Sequence, residues 1–154
     1  PYSPYGPGLG GFRARLGQPL EFDDALAENY FMTPFLAHAG WPYLDQTKAL
    51  LQLYPQLYVD IASLGLNPGI PTSEFEDYIK RLIVAGHGNR IMFGSGLSPD
   101  DYAADIETVI HHVLSMSFLT QEQQDDIFYG NAARFIGLEP GYETRWRQPR
   151  SAED

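Results

Sequence analysis

Three short stretches of this chain set chemistry-bearing residues directly behind apolar runs. His38 follows Phe35-Leu36-Ala37 and leads into Ala39-Gly40-Trp41-Pro42. A histidine leaving an apolar strand into a Gly/Pro turn is placed to act as a ligand or general base, or else to be held as a structural histidine. Asp60 stands between Val59 and Ile61. A carboxylate inside an apolar strand is costly unless paired, so it either faces a site or bonds to a neighbouring loop. Phe93 is followed by Gly94-Ser95-Gly96, a turn that could cradle an anion ahead of a helix, although the spacing is neither that of a P-loop nor of GxGxxG. His111 and His112 are adjacent; on a helix they point in different directions and cannot chelate together. His87, in a Gly-rich helix exit, reads as a surface residue. No Gly-x-Ser-x-Gly elbow is present, which disfavours a serine hydrolase.

Positioning those residues requires strands that end at them. Phe35–Ala37, Leu57–Ile61 and Arg90–Phe93 are short apolar runs, β-branched or aromatic in part, bounded by Pro or Gly, and they predict three buried strands. Helical patterns lie between them. Leu20 to Tyr30 predicts a short amphipathic helix, and Tyr43 to Tyr54 a second, ended by Pro55. Ser73 to Ala85 predicts a third, with Ser73 and Glu76 as a capping box and Gly86 and Gly88 at its end. Ser98-Pro99-Asp100-Asp101 opens a fourth, running from about Pro99 to Leu114. Thr120 with Gln123 opens another, and Asn131 caps a last one reaching Ile136. Pro1 to Phe12 has loop composition and could either cover a site or fray. The stretch from Glu139 to Asp154 lacks apolar periodicity and reads as an arm or disordered tail. Strand–helix alternation implies an α/β fold with a parallel sheet and with the strand C-termini on one face. The chemistry should therefore gather just after residues 37, 61 and 94.

Composition narrows the class. In 154 residues, 20 acids oppose 10 bases for a net charge of −10. That balance repels phosphate backbones and anionic membrane, so neither nucleic acid nor membrane is an expected partner. There is no cysteine. Disulfides, thiolate metal sites and cysteine catalysis are excluded, and the expected home is cytoplasmic.

Leu36-Ala37-His38-Ala39-Gly40-Trp41-Pro42 resembles the sixth-strand motif of the metal-dependent amidohydrolase superfamily, in the branch that includes aminocarboxymuconate-semialdehyde decarboxylase-like proteins. Leu57-Tyr58-Val59-Asp60-Ile61 resembles that branch's seventh strand, and Arg90-Ile91-Met92-Phe93-Gly94-Ser95 its eighth. Tyr129-Gly130-Asn131-Ala132-Ala133-Arg134-Phe135 is similar to its C-terminal helix, and Arg13 to Asp24 to the stretch before strand six. The resemblance implies a partial (β/α)8 TIM barrel: the last three β/α units plus C-terminal helices over residues 1–138, with 139–154 as the arm. It implies a metal-dependent hydrolase or decarboxylase acting on a small organic substrate. His38 is then the catalytic residue, matching the histidine that in the family helps bind the substrate or the metal-bound water. Trp41, Asp60 and Ser95 are expected on the substrate side. The family's eighth-strand Asp falls on Gly96, so this chain alone should hold no metal; a divalent metal, zinc first, is expected only where other residues complete the barrel. The missing barrel half would come in cis or in trans, with a homo-oligomer as one route. Two alternatives stay open: a catalytically degenerate relative serving binding or assembly, and a small α/β domain binding an anion at Gly94–Gly96.

Overall fold

A computed structural model describes residues 14–62, 64–65, 70–96 and 103–138. The loop of residues 1–12, the helix start at Ser98–Asp101 and the stretch 139–154 lie outside the described residues. The chain enters through two single 3-10 turns and a short helix α1 (Asp23–Glu28). Strand β1 (Phe35–Leu36), helix α2 (Leu44–Leu53), strand β2 (Tyr58–Asp60), helix α3 (Thr72–Val84) and strand β3 (Ile91–Met92) then alternate. Helix α4 (Ala103–Ser115) follows, and α5 (Gln121–Asp125) runs through a π-helical turn into α6 (Asn131–Phe135).

The three strands form one parallel sheet in the order β1-β2-β3. Leu36 pairs with Val59 and Val59 with Ile91, so three branched side chains stand in one buried row. Helix α3 puts Phe75, Tyr78, Ile79 and Leu82 into the same core. That i, i+3, i+4, i+7 spacing makes a single apolar stripe. Leu44, Leu50 and Leu51 do the same for α2, which stops before Pro55. Side chains alternate along a strand, so Phe35 and Tyr58 point to the opposite face. There Phe135 of α6 meets both rings edge-on, at 5.6 and 5.3 Å between centroids.

The α/β reading and the parallel sheet hold. The strands are shorter than the apolar runs predict, because only two or three residues of each find ladder partners. Two caps differ. Ser73 lies inside α3, whose N-cap is Pro71 with no side-chain bond. Asn131 does not cap; it is buried, and its amide donates to the carbonyls of Gly88 and Ile91 at 2.8 and 2.7 Å, fastening α6 under β3. The Thr120–Gln123 capping box forms in both directions. Among the described residues no helix is long and apolar enough to cross a membrane.

Candidate functional site

Parallel strands bring their C-terminal ends to one edge of the sheet, and there His38 and Asp60 meet. Asp60 is the last residue of β2, and its Oδ1 accepts the backbone N–H of His38 at 2.8 Å and of Ala62 at 3.1 Å. The His38 ring turns to the same loop: Nδ1 lies 2.7 Å from the Ala62 carbonyl oxygen. A carbonyl only accepts, so Nδ1 carries a proton, and in the neutral ring Nε2 keeps the lone pair. His38 itself is exposed. A neutral Nε2 can accept a hydrogen bond or proton, or serve as a ligand.

The turn carrying His38 is conformationally expensive. His38, Ala39 and Gly40 all have left-handed backbone, with φ of 56°, 49° and 67°. For non-glycine residues such geometry costs about 1–3 kcal/mol each and persists only when its surroundings over-determine it. The surroundings are in place. The Ala39 carbonyl accepts the Tyr78 hydroxyl at 2.8 Å and the Thr47 hydroxyl at 3.1 Å. The N–H of Trp41 closes on the His38 carbonyl, and that of Tyr43 on Gly40, each at 2.9 Å. Gly40 must be glycine for a second reason: a Cβ there would overlap Thr47 Oγ1. The Trp41–Pro42 peptide is cis.

Trp41, three residues beyond His38, is half-buried, and its indole N–H donates to Glu74 Oε1 at 3.3 Å from the first turn of α3. Ser95 sits one residue past Gly94, which packs on Ala62. Gly96 has φ +68°. The two glycines of the third turn thus have separate backbone reasons, close approach and positive φ, neither of which involves an anion.

His38 and Asp60 are therefore in direct contact, and Trp41 and Ser95 lie on the adjoining loop and strand exit. Sequence reasoning missed Thr47, Glu74, Tyr78 and the Ala62 carbonyl. Tyr78 falls within the apolar pattern of the helix predicted over 73–85, and a backbone carbonyl leaves no mark in a sequence. The reading of His87 as a surface residue is corrected: it is buried, and its Nδ1 accepts Arg90 Nη2 at 2.8 Å. Burial, with the Arg90 guanidinium second, pushes its pKa below the ordinary histidine value. His112 is tied to Glu76 at 3.1 Å across α3 and α4, and His111 is exposed. Among the described residues no three His, Asp or Glu side chains converge. A catalytic zinc takes about three protein ligands, so these residues by themselves do not fit one.

A family model described as Amidohydrolase matches residues 1–138. No curated protein matches the chain. Solved structures do. An uncharacterised TIM-barrel protein from Bordetella bronchiseptica is 20% identical with a TM-score of 0.64, over 84% of this chain and 43% of that one. An amidohydrolase from Burkholderia multivorans is 21% identical over 79% of this chain and 50% of that one, with TM-scores of 0.60 for the structure with bound HEPES and 0.61 for that with bound zinc. The chain spans half or less of the length of these structures, and the likeness is one of fold.

Proposed function

The chain belongs to the amidohydrolase family, and from that premise we propose that it is the C-terminal segment of a (β/α)8 barrel enzyme, a hydrolase or decarboxylase of small organic molecules. Within the family we read the motifs at residues 36–42, 57–61 and 90–95 as similar to those of the aminocarboxymuconate-semialdehyde decarboxylase-like branch. The observation that carries the reading is the His38 site: a strained turn at a strand C-terminus that presents Nε2 with its lone pair while Nδ1–H is held by the Ala62 carbonyl. In (β/α)8 enzymes the chemistry lies at that end of the strands. His38 Nε2 accepts a hydrogen bond or proton from the substrate, Trp41 offers an apolar wall for an aromatic or carboxylated ligand, and Asp60 and Ser95 complete that side of the pocket.

The barrel needs more strands than three. β1 is an edge of the sheet, and Tyr30 and Phe31, a few residues before it, and Phe35 within it are 78%, 74% and 47% exposed. Exposed aromatics in and next to an edge strand call for cover. We take the cover to be the first units of the barrel, joined in cis or supplied in trans, with a homo-oligomer as the trans case. A metal, zinc first, enters only with ligands from those units. The absence of cysteine agrees with a cytoplasmic setting.

The test is an assay of the completed barrel, with zinc or manganese, on a panel of small aromatic and carboxylated substrates, following hydrolysis and CO₂ release. His38→Gln should lower turnover about 10²–10⁴-fold, the usual worth of a general acid–base group. One observation favours a second reading. Gly96, with φ +68°, stands where the family has its acid, which suits a degenerate barrel kept for binding or assembly. Substrate-analogue binding without turnover, unaffected by added metal, would decide for that reading.

A further inference from the structure

We infer that Asp60 is the positioning residue of this site: through the backbone amides of His38 and Ala62 it imposes the imidazole tautomer that frees His38 Nε2. The inference deepens the proposed function and rests on it for the purpose of the site, though not for its geometry.

Three residues form a closed ring. Asp60 Oδ1 receives the His38 N–H and the Ala62 N–H, and the Ala62 carbonyl receives the His38 Nδ1–H. Backbone and side chain of His38 are thereby tied to one strand exit, 22 and 24 residues away in sequence. The two halves of the ring depend on each other. The amide bond holds the left-handed turn at His38, and that turn aims the ring back at β2. The amide of Ala62 orients the residue whose carbonyl the ring then meets. A carboxylate oxygen is suited to the task because bonds to a charged acceptor are about twice as strong as neutral ones. It can also take two donors at once.

The chemical consequence is specific. A free neutral histidine side chain favours the proton on Nε2, whereas the Ala62 carbonyl requires it on Nδ1. The protein therefore selects the less common form, and in the neutral ring Nε2 is the nitrogen left without a proton. Orienting a histidine by a bond to its other nitrogen is a general device for active imidazoles. Here the orienting group is a backbone carbonyl, and Asp60 acts one bond behind it.

The experiment records ring ¹⁵N–¹H correlations of the whole protein in alkaline buffer, with His38→Gln assigning the signal. The expected result is an Nδ1–H tautomer for His38. Asp60→Asn, which keeps an oxygen acceptor, should preserve it. Asp60→Ala should shift the ring predominantly to Nε2–H and speed exchange of the His38 amide at least tenfold. An Nε2–H tautomer in the unaltered protein overturns the inference. So does a folded Asp60→Ala that retains Nδ1–H. If Asp60→Ala does not fold, the unaltered protein and Asp60→Asn still decide: a folded Asp60→Asn that loses Nδ1–H also overturns it. None of these readouts needs turnover. The Nδ1–H tautomer without any activity would sink the catalytic reading alone, and activity with Nε2–H would sink this inference alone.

Discussion

Gly94 is pressed against Ala62: a Cβ on residue 94 would lie 2.9 Å from the Ala62 Cβ and 3.3 Å from its Cα. The exit of β3 therefore backs the loop whose carbonyl holds the His38 ring. Two strands and one histidine share a single point of support, and a methyl group at position 94 would push on all three.

Gly94→Ala should lower stability by about 1–3 kcal/mol, the usual cost of overpacking. It should also weaken the His38–Ala62 bond, because Ala62 is what must move. A urea titration reads the first effect and the His38 ring tautomer the second. A variant of unchanged midpoint and unchanged tautomer would show that the close approach is not a constraint.

Gly96 tests another kind of necessity. Its φ of +68° predicts that Gly96→Ala costs about 1–2 kcal/mol and that Gly96→Asp costs less, since Asp tolerates left-handed backbone better. Thermal melts of the two variants give the order. If Gly96→Asp also raises turnover of the completed barrel, the position has a catalytic ancestry as well as a backbone one.

Tyr78 lies buried in α3 with its hydroxyl on the Ala39 carbonyl, and burial pushes its pKa up to about 12. The unfolded tyrosine loses its proton near pH 10, so between pH 10 and 12 the folded state holds more protons and stability falls as pH rises. The loss attributable to this group is about 2–3 kcal/mol. Tyr78→Phe should cost about 1 kcal/mol at neutral pH through the lost bond and should flatten that alkaline slope. Denaturant midpoints at pH 8, 10 and 11 for both proteins check it.

His87 supplies the opposite dependence. Its lowered pKa means that below about pH 6.5 the unfolded chain takes up a proton that the folded site refuses, and stability falls as pH falls. His87→Gln, which can still accept from Arg90, should lose this contribution. The difference in midpoint between pH 7 and pH 5 should be smaller in the variant than in the unaltered protein. An equal difference would mean that His87 is not the acid-sensitive group.

The chain order alone specified strand–helix alternation, and with it a parallel sheet whose strand ends collect His38, Asp60 and the Gly94–Gly96 turn. Those features are local: apolar runs of strand length, Pro55 as a stop, and Thr120 with Gln123 as a reciprocal cap all act within a few residues. What the sequence could not contain was the partner of each polar group. Asn131 reads as a cap and is instead a buried strut under β3, because two carbonyls of the β3 approach needed donors. Ser73 reads as a cap and lies inside its helix, because the chain turns at Pro71 first. His87 reads as exposed because neighbouring glycines mark a loop, yet a guanidinium three residues on closes over it. The left-handed backbone at His38 and Ala39 has no signature in residues that normally avoid it; only a carboxylate from β2 and hydroxyls from α2 and α3, brought together by folding, make that turn stable. His38 and Asp60 stood out in the sequence by their place in apolar runs, whereas Thr47, Tyr78 and the Ala62 carbonyl did not. The proton's place on His38 was decided by tertiary structure, because it depends on a backbone carbonyl 24 residues away.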